Sequence, residues 1–193
     1  MQTTNNLKPI EYRIDSRSII TFVSKNWSEF ARENGANNLT DENTIGKRLK
    51  EFIAGNETYE LYINIIDKVK NTGKEVVFPF RCDSPDCRRF MHMTVAPYTI
   101  NEIQFKSVMV KKELREVQSL LSLETDRSDE FLTICSWYKK IKITDKLWQE
   151  IEEGIKALKL MEEINLPKLT HGICPECLQK VTRQMKYFRK YSN

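Results

Sequence analysis

The chain has 193 residues, and 31 Lys and Arg against 27 Asp and Glu leave a net charge of +4, which names no partner by bulk charge. A hydrophobic fraction of 40%, with three Trp, seven Tyr and nine Phe, is enough to fill a core and excludes wholesale disorder, while six Gly and six Pro exclude a collagenous or linker-like chain. The polar opening Met1-Gln2-Thr3-Thr4-Asn5-Asn6 and the short apolar runs predict neither a signal peptide nor a membrane span, so the five Cys are expected in a cytoplasmic protein, where they bind metal, react or pack.

Short β-branched stretches at 10–14 and 18–24, separated by Asp15-Ser16-Arg17, predict a hairpin. Trp27, Phe30 and Ala31 stand at helical spacing ahead of the stop Asn34-Gly35, and 37–44 reads as loop. Ile45, Leu49, Phe52 and Ile53 share one helical face over 45–53. After the break at Gly55-Asn56, Leu61, Ile65, Ile66 and Val69 stripe a long helix that Asn71-Thr72-Gly73 closes. Strands are predicted at 75–82, 88–97 and 102–110. In them Met91, Met93 and Val95 alternate with His92 and Thr94, as Ile103, Phe105 and Ser107 do with Gln104 and Lys106.

From 111 to 129 the texture turns to charge with interleaved leucines. Leu114, Val117 and Leu121 fit an a/d/a spacing, which predicts a linker helix that pairs with a copy of itself or caps the domain beside it. A second unit follows over 130–193: a short strand at 131–135, an amphipathic helix at 145–161 carrying Trp148, Ile151, Ile155 and Leu158, a loop ending at Pro167, and a last helix after Cys177. That helix sets Leu178, Val181, Met185 and Phe188 on one face and Lys180, Arg183, Lys186, Arg189 and Lys190 on the other, with no acid after Glu176. No base-reading motif accompanies it, so the basic face predicts a solvated surface rather than nucleic-acid binding.

Residues 1–110 resemble a PAS domain, in which five antiparallel strands cup a ligand or interaction surface against a few helices. The resemblance is carried by Phe22-Val23-Ser24-Lys25-Asn26-Trp27 at a strand-to-helix junction, Thr44-Ile45-Gly46-Lys47-Arg48-Leu49, Val69-Lys70-Asn71-Thr72-Gly73-Lys74 at the end of the long helix, and Arg81-Cys82-Asp83-Ser84-Pro85 with Arg88-Arg89. It implies sensing and protein interaction. Residues 57–71 hold no His of the kind that haem-binding PAS domains place on the long helix, and no flavin-reactive Cys motif or chromophore site is visible. The alternation turns His92 away from the cup. Trp27, Phe30, Phe52, Phe80, Met91 and Met93 either line an apolar pocket or fill plain core. Cys82 and Cys87 flank the proposed turn as inert thiols or as a redox pair.

His171, Cys174 and Cys177 form a His-x-x-Cys-x-x-Cys knuckle, and Cys135 lies a helix-sized insertion away. Together they offer the Cys₃His set of a tetrahedral zinc. This half resembles a zinc-ribbon-like module that follows PAS and receiver domains in bacterial signalling proteins. The matches are Ile134-Cys135-Ser136-Trp137, Lys139-Lys140-Ile141, Trp148 and the run from His171 to Cys177, but Tyr138 stands where the family has its second Cys. Either His171 completes the tetrahedron, or the site is degenerate and its cysteines pack as small hydrophobes. Cys174-Pro175-Glu176-Cys177 is also similar to a glutaredoxin motif, although such a motif opens a βαβ fold and only 16 residues follow here. Cys174-Pro175 with His171 offers haem iron a ligand as an alternative cofactor.

The expectation is therefore an α+β chain with a PAS-like five-stranded antiparallel sheet and flanking helices at 1–110, a linker helix at 111–129 and a small Cys-rich α/β module at 130–193. Its function would be that of a non-catalytic sensor or adaptor. It would use zinc, pass its state to a signalling partner and form a homodimer through the linker helix, with a haem- or thiol-based redox sensor as the alternative. No nucleophile–base set, phosphate loop or acidic pair points to an enzyme.

Overall fold

Five segments with alternating burial build one antiparallel sheet: β1 (Ile10–Ile14), β2 (Ile20–Val23), β3 (Val76–Arg81), β4 (Cys87–Pro97) and β5 (Ile103–Leu114). The computed structural model describes residues 8–187, without the side chains of 184–187. The strand order is β2-β1-β5-β4-β3. Between β2 and β3 the chain forms α1 (Trp27–Glu33), α2 (Asp41–Thr44) and α3 (Asn56–Thr72). The α3 stripe of Leu61, Ile65, Ile66 and Val69 is buried in one cluster with Phe78, Val95 and Phe105 of the sheet. Gly73, with φ of 64°, ends α3 in the left-handed conformation that glycine adopts at least cost. The class is the expected one: α+β, with a five-stranded antiparallel sheet flanked by helices.

A second sheet, ordered β8-β7-β6-β9, comprises β6 (Arg127–Cys135), β7 (Ile141–Lys142), β8 (Trp148–Gln149) and β9 (Leu166–Gly172), with β9 parallel to β6. Helix α4 (Ile151–Ala157) packs on β7 so closely that a Cβ on Gly154 would stand 2.9 Å from the Ile141 side chain. Helix α5 (Pro175–Tyr187) follows β9. Leu120, Leu132, Ile134, Ile141, Ile151, Ile155 and Leu160 form a small core of their own.

Residues 111–129 do not form the expected linker helix. Strand β5 continues through Lys111–Glu113 to Leu114 because β4 is long enough to pair with all of it, with Cys87 opposite Leu114 and Arg88 opposite Glu113. The charges that suggested helical pairing lie across strands, as in Arg88–Glu113 at 3.9 Å. Beyond β5 the chain makes only a 3₁₀ turn at Ser119–Leu121. Leu114 is 78% exposed and Leu121 is partly buried, so no a/d seam exists and dimerisation through such a helix loses its basis.

Further expectations change: the 37–44 loop holds α2, and the loop read as ending at Pro167 gives way to β9 from Leu166. The 45–53 helix is interrupted at Gly46 (φ 83°), leaving a 3₁₀ turn at Leu49–Phe52 and Ile45 exposed. The 145–161 helix shrinks to α4, and Trp148 moves into a strand. On α5, Cys177 and Val181 are buried while Leu178 is half exposed, so the apolar face is offset from the expected stripe. Met185, Lys186, Phe188, Arg189 and Lys190 lie outside the described side chains, as do residues 1–7.

Candidate metal centre and ligand cavity

The knuckle is assembled by backbone geometry. Strand β6 ends at Cys135, and the Lys139 N–H donates to the Cys135 carbonyl at 2.9 Å, with Lys139 left-handed at φ 56°. This tight turn points the backbone N–H of Tyr138 at the Cys135 Sγ, 3.5 Å away. Parallel pairing of β9 sets Gly172 opposite Cys135, which brings the Cys174 N–H to the same sulfur, also at 3.5 Å. One turn of α5 then adds Cys177, whose Sγ lies 3.6 Å from that of Cys135. The three sulfurs lie within 4.8 Å of one another, and the three residues are no more than 1% exposed.

This set fits a small thiophilic cation. Zn–S bonds near 2.3 Å in a tetrahedron place sulfurs about 3.8 Å apart, close to the observed Cys135–Cys177 spacing. Without a cation the sulfurs hold each other in unlike states. The neighbouring Cys174 and Cys177 sulfurs, then the two backbone N–H groups aimed at Cys135, hold its thiol pKa below the ordinary value. The same contact raises Cys174 and Cys177.

His171 does not join them. It pairs with Ile134, one residue out of phase with Cys135, and lines a separate hollow with Ala54, Thr58 and Lys139. Burial, then the Lys139 charge, lowers its pKa. Tyr138, which stands where the resemblance implied a second Cys, has Lys180 over its ring at 4.8 Å. Glu176 pairs with Lys180 at 2.7 Å and with Lys140 at 2.6 Å, so part of the basic face of α5 is neutralised within the chain.

Trp27, Phe30, Phe52, Phe80, Met91 and Met93 all line one cavity of about 350 Å³ between the five-stranded sheet and α1–α3. Tyr12, Asn34 and Tyr62 line it too, and sequence patterning did not flag them. Tyr12 stacks on Phe105 at 4.5 Å and meets Trp27 edge-on at 5.9 Å. Burial, then Tyr62, raises the Tyr12 hydroxyl, and burial pushes Tyr62 up to about 12, so both rings present neutral hydroxyls. His92 is exposed on the far face. Cys82 and Cys87 are both free thiols: Cys82 lines the cavity with its pKa raised by burial, and Cys87 Sγ donates weakly to the Arg88 carbonyl at 3.6 Å.

The knuckle and the cavity share one core. Trp137, between Cys135 and Tyr138, stacks on Phe78 at 4.3 Å with 5° between planes, and Tyr62 meets both rings edge-on at 6.3 Å. The Arg81 N–H at the end of β3 donates to the Trp137 carbonyl at 2.6 Å, and Thr58 on α3 meets the Ser136 hydroxyl at 2.8 Å. Gly55 lies so close to β9 that a Cβ there would stand 2.6 Å from the His171 carbonyl oxygen.

An ion-pair network, also missed in the sequence, closes the same junction. The Asp83 side chain is fully buried, binds Arg81 through both oxygens and lies 3.4 Å from Arg115. Arg81 also pairs with Glu150. Arg115 reaches Glu152 at 3.2 Å, and Arg88 reaches it at 2.6 Å. Burial works against the Arg81 charge, but Asp83 and Glu150 outweigh it and hold the guanidinium pKa above its ordinary value. The signal was present as Arg81-x-Asp83 at strand spacing, but Arg115 lay inside a segment read as helix.

No family model matches the chain, and no curated protein does. Among solved structures it is similar to a sensory box sensor histidine kinase from Vibrio cholerae, at 13% identity and a TM-score of 0.42 over 58% of this chain and 85% of that one. The RpfR quorum-sensing receptor PAS domain of Cronobacter turicensis, in complex with C12:0, is similar at 9% identity and 0.42 over 56% of this chain and 100% of that one. A domain of an HTR-like protein from Haloarcula marismortui is similar at 13% identity and 0.40 over 53% and 98%. At such scores and identities these likenesses carry no conclusion about activity. Among the described residues, no helix is long and apolar enough to cross a membrane.

Proposed function

We propose that the chain is a non-catalytic, PAS-type sensor or adaptor in which the occupancy of the cup alters the Cys135–Cys174–Cys177 knuckle by direct contact rather than through a linker helix. One observation carries this reading: Trp137 belongs to the knuckle and is stacked inside the core of the cup, in contact with Tyr62 of the cavity wall. A ligand that favours one Tyr62–Trp137 arrangement shifts the population of knuckle states by its difference in affinity for them. A separate signalling protein reads the knuckle and the adjoining face of α5.

Cys135, Cys174 and Cys177 would hold zinc. Zinc in a thiolate site of this kind supplies folding energy by tying two knuckles together. The chain's own contributions are the two backbone N–H groups that orient the Cys135 sulfur and the parallel β6–β9 pairing that sets its distance from α5. Metal analysis of the purified protein tests this part. Stoichiometric zinc that is lost in Cys174→Ser supports it, and metal-free protein with three freely reactive thiols overturns it.

A thiol-based redox sensor is the second reading, favoured by the 3.6 Å approach of the Cys135 and Cys177 sulfurs. Haem has less support, because the three sulfurs face one another instead of an open slot. A Soret band in the purified protein would reverse that preference.

A further inference from the structure

A hollow of about 310 Å³ lies at the junction of the two halves, where the Ser136–Lys139 turn of the knuckle meets α3 and the end of β3. It adjoins the cup along Phe52, Ile53, Tyr62, Phe80 and Cys82, yet its chemistry differs. No charged residue lines the cup, whereas Arg81, Asp83 and Lys139 line the hollow. Arg81 and Asp83 bind each other, and Asp83 also faces Arg115, so Asp83 is neutralised within the chain. Lys139 makes no ion pair among the described residues. Its ammonium donates to the Ser136 carbonyl at 3.0 Å, which uses one of its three N–H donors.

Two more donors stand around it. The Thr58 and Ser136 hydroxyls meet at 2.8 Å, a bond that consumes one of their two hydrogens and leaves the other O–H to give. The His171 imidazole lines the same hollow without a hydrogen-bond partner among the described residues, and in its neutral form it offers one ring N–H. Lys139, Ser136 and His171 are each partly exposed, so a molecule entering from water reaches them. Surplus donors, one of them cationic, match a carboxylate, which only accepts and does so at two oxygens. The rest of the lining is largely aromatic, with Phe52, Phe80, Tyr62 and Trp137, which suits a flat apolar body. A volume of about 310 Å³ stands at the small end of small-molecule sites, which run from roughly 300 to 1,000 Å³.

We propose that this hollow is a second ligand site, separate from the cup, that takes a small aromatic monocarboxylate with its carboxylate on Lys139. Lys139 sets the charge selectivity, and Ser136 and His171 orient the carboxylate. A ligand held there touches both α3 and the knuckle turn, so it fastens the junction at the Thr58–Ser136 contact.

Benzoate, benzamide and benzylammonium, alike in size and different in charge, test it by calorimetry and amide NMR on the full chain. Charge-assisted hydrogen bonding makes benzoate bind at least about tenfold more tightly than benzamide, and benzylammonium binds most weakly. Benzoate moves the backbone resonances of Thr58, Ser136 and Lys139 but not those of Ala31 and Met93, which line only the cup. Lys139→Met, which keeps the length and removes the charge, brings benzoate to within about threefold of benzamide, and Lys139→Arg restores the preference. Equal binding of benzoate and benzamide to the wild type, or a preference untouched by Lys139→Met, would overturn the proposal. Shifts confined to Ala31 and Met93 would put benzoate in the cup and remove the second site while leaving the cup as a ligand site. Failure of all three probes to bind would also remove the second site.

Discussion

Asp83→Asn removes a charge while keeping the shape of the side chain, so it isolates what the buried network contributes. In the native protein this carboxylate, 0% exposed, faces two guanidinium groups whose side chains are 4% and 7% exposed. Removing one partner of a buried ion pair leaves an uncompensated charge and costs about 3–5 kcal/mol. Glu150 and Glu152 remain beside Arg81 and Arg115 but are partly open to water, which sets the expected loss at the lower end, about 3 kcal/mol. For a chain of this size each kcal/mol moves the melting temperature by roughly 2–4 °C, so Asp83→Asn should melt roughly 6–12 °C lower. Urea unfolding should show a reduced midpoint with an unchanged slope. The loss should persist in high salt, which screens exposed pairs far more than buried ones. Asp129→Asn is the control: its carboxylate is fully exposed in its 2.7 Å pair with Lys168, so no measurable change is expected. Melting of Asp83→Asn within about 1 °C of wild type, or a loss erased by salt, would refute the claim that the network holds the two halves together.

Other consequences follow from individual contacts. Gly55→Ala forces a Cβ into the β9 backbone at a position with φ of 88° and should cost roughly 2–4 kcal/mol by denaturant unfolding, whereas Gly46→Ala, at φ 83° with nothing within 4 Å, should cost only the backbone strain, about 1 kcal/mol. Equal losses would show that the α3–β9 approach is not tight. Alkaline titration of tyrosinate absorbance should find Tyr62 ionising near about 12, later than exposed tyrosines. Because burial raises its folded pKa above the ordinary value near 10, its contribution is fully present below pH of about 10 and is lost as pH rises towards about 12. All seven Tyr titrating together near 10 in folded protein would contradict a buried Tyr62.

The first sheet was legible because period-two alternation is a local signal: Met91, Met93 and Val95 point inward by spacing alone, whereas residue type left Trp27, Phe30, Phe52, Phe80, Met91 and Met93 open between pocket and plain core. Cys174 and Cys177 were legible from their Cys-x-x-Cys spacing, and Cys135 from its place a helix-sized insertion away. Errors arose where distant partners decide. Lys111–Leu114 carries a helical charge pattern but is held extended by its β4 partners Cys87–Phe90, which lie more than 20 residues upstream. β9 contains Pro167, which reads as a loop residue and is tolerated because the strand is at the edge of its sheet. His171 is close to Cys174 in sequence, yet strand phase turns it into another hollow. Arg115 and Asp83 meet only after β5 and the β3–β4 turn are placed, so no local window contains that pair.

The central claim is that the cup and the cysteine knuckle form one mechanical unit through Trp137. Native-state hydrogen exchange, followed peptide by peptide on protein reconstituted with zinc, the ion proposed for the knuckle, and again after chelation, tests it most directly. The account predicts faster exchange on chelation not only in β6, β9 and α5 but also in β3 and in the N-terminal turns of α3, where Arg81 and Thr58 contact the knuckle. Faster exchange confined to residues 127–187, with β3 and α3 unchanged, would contradict it.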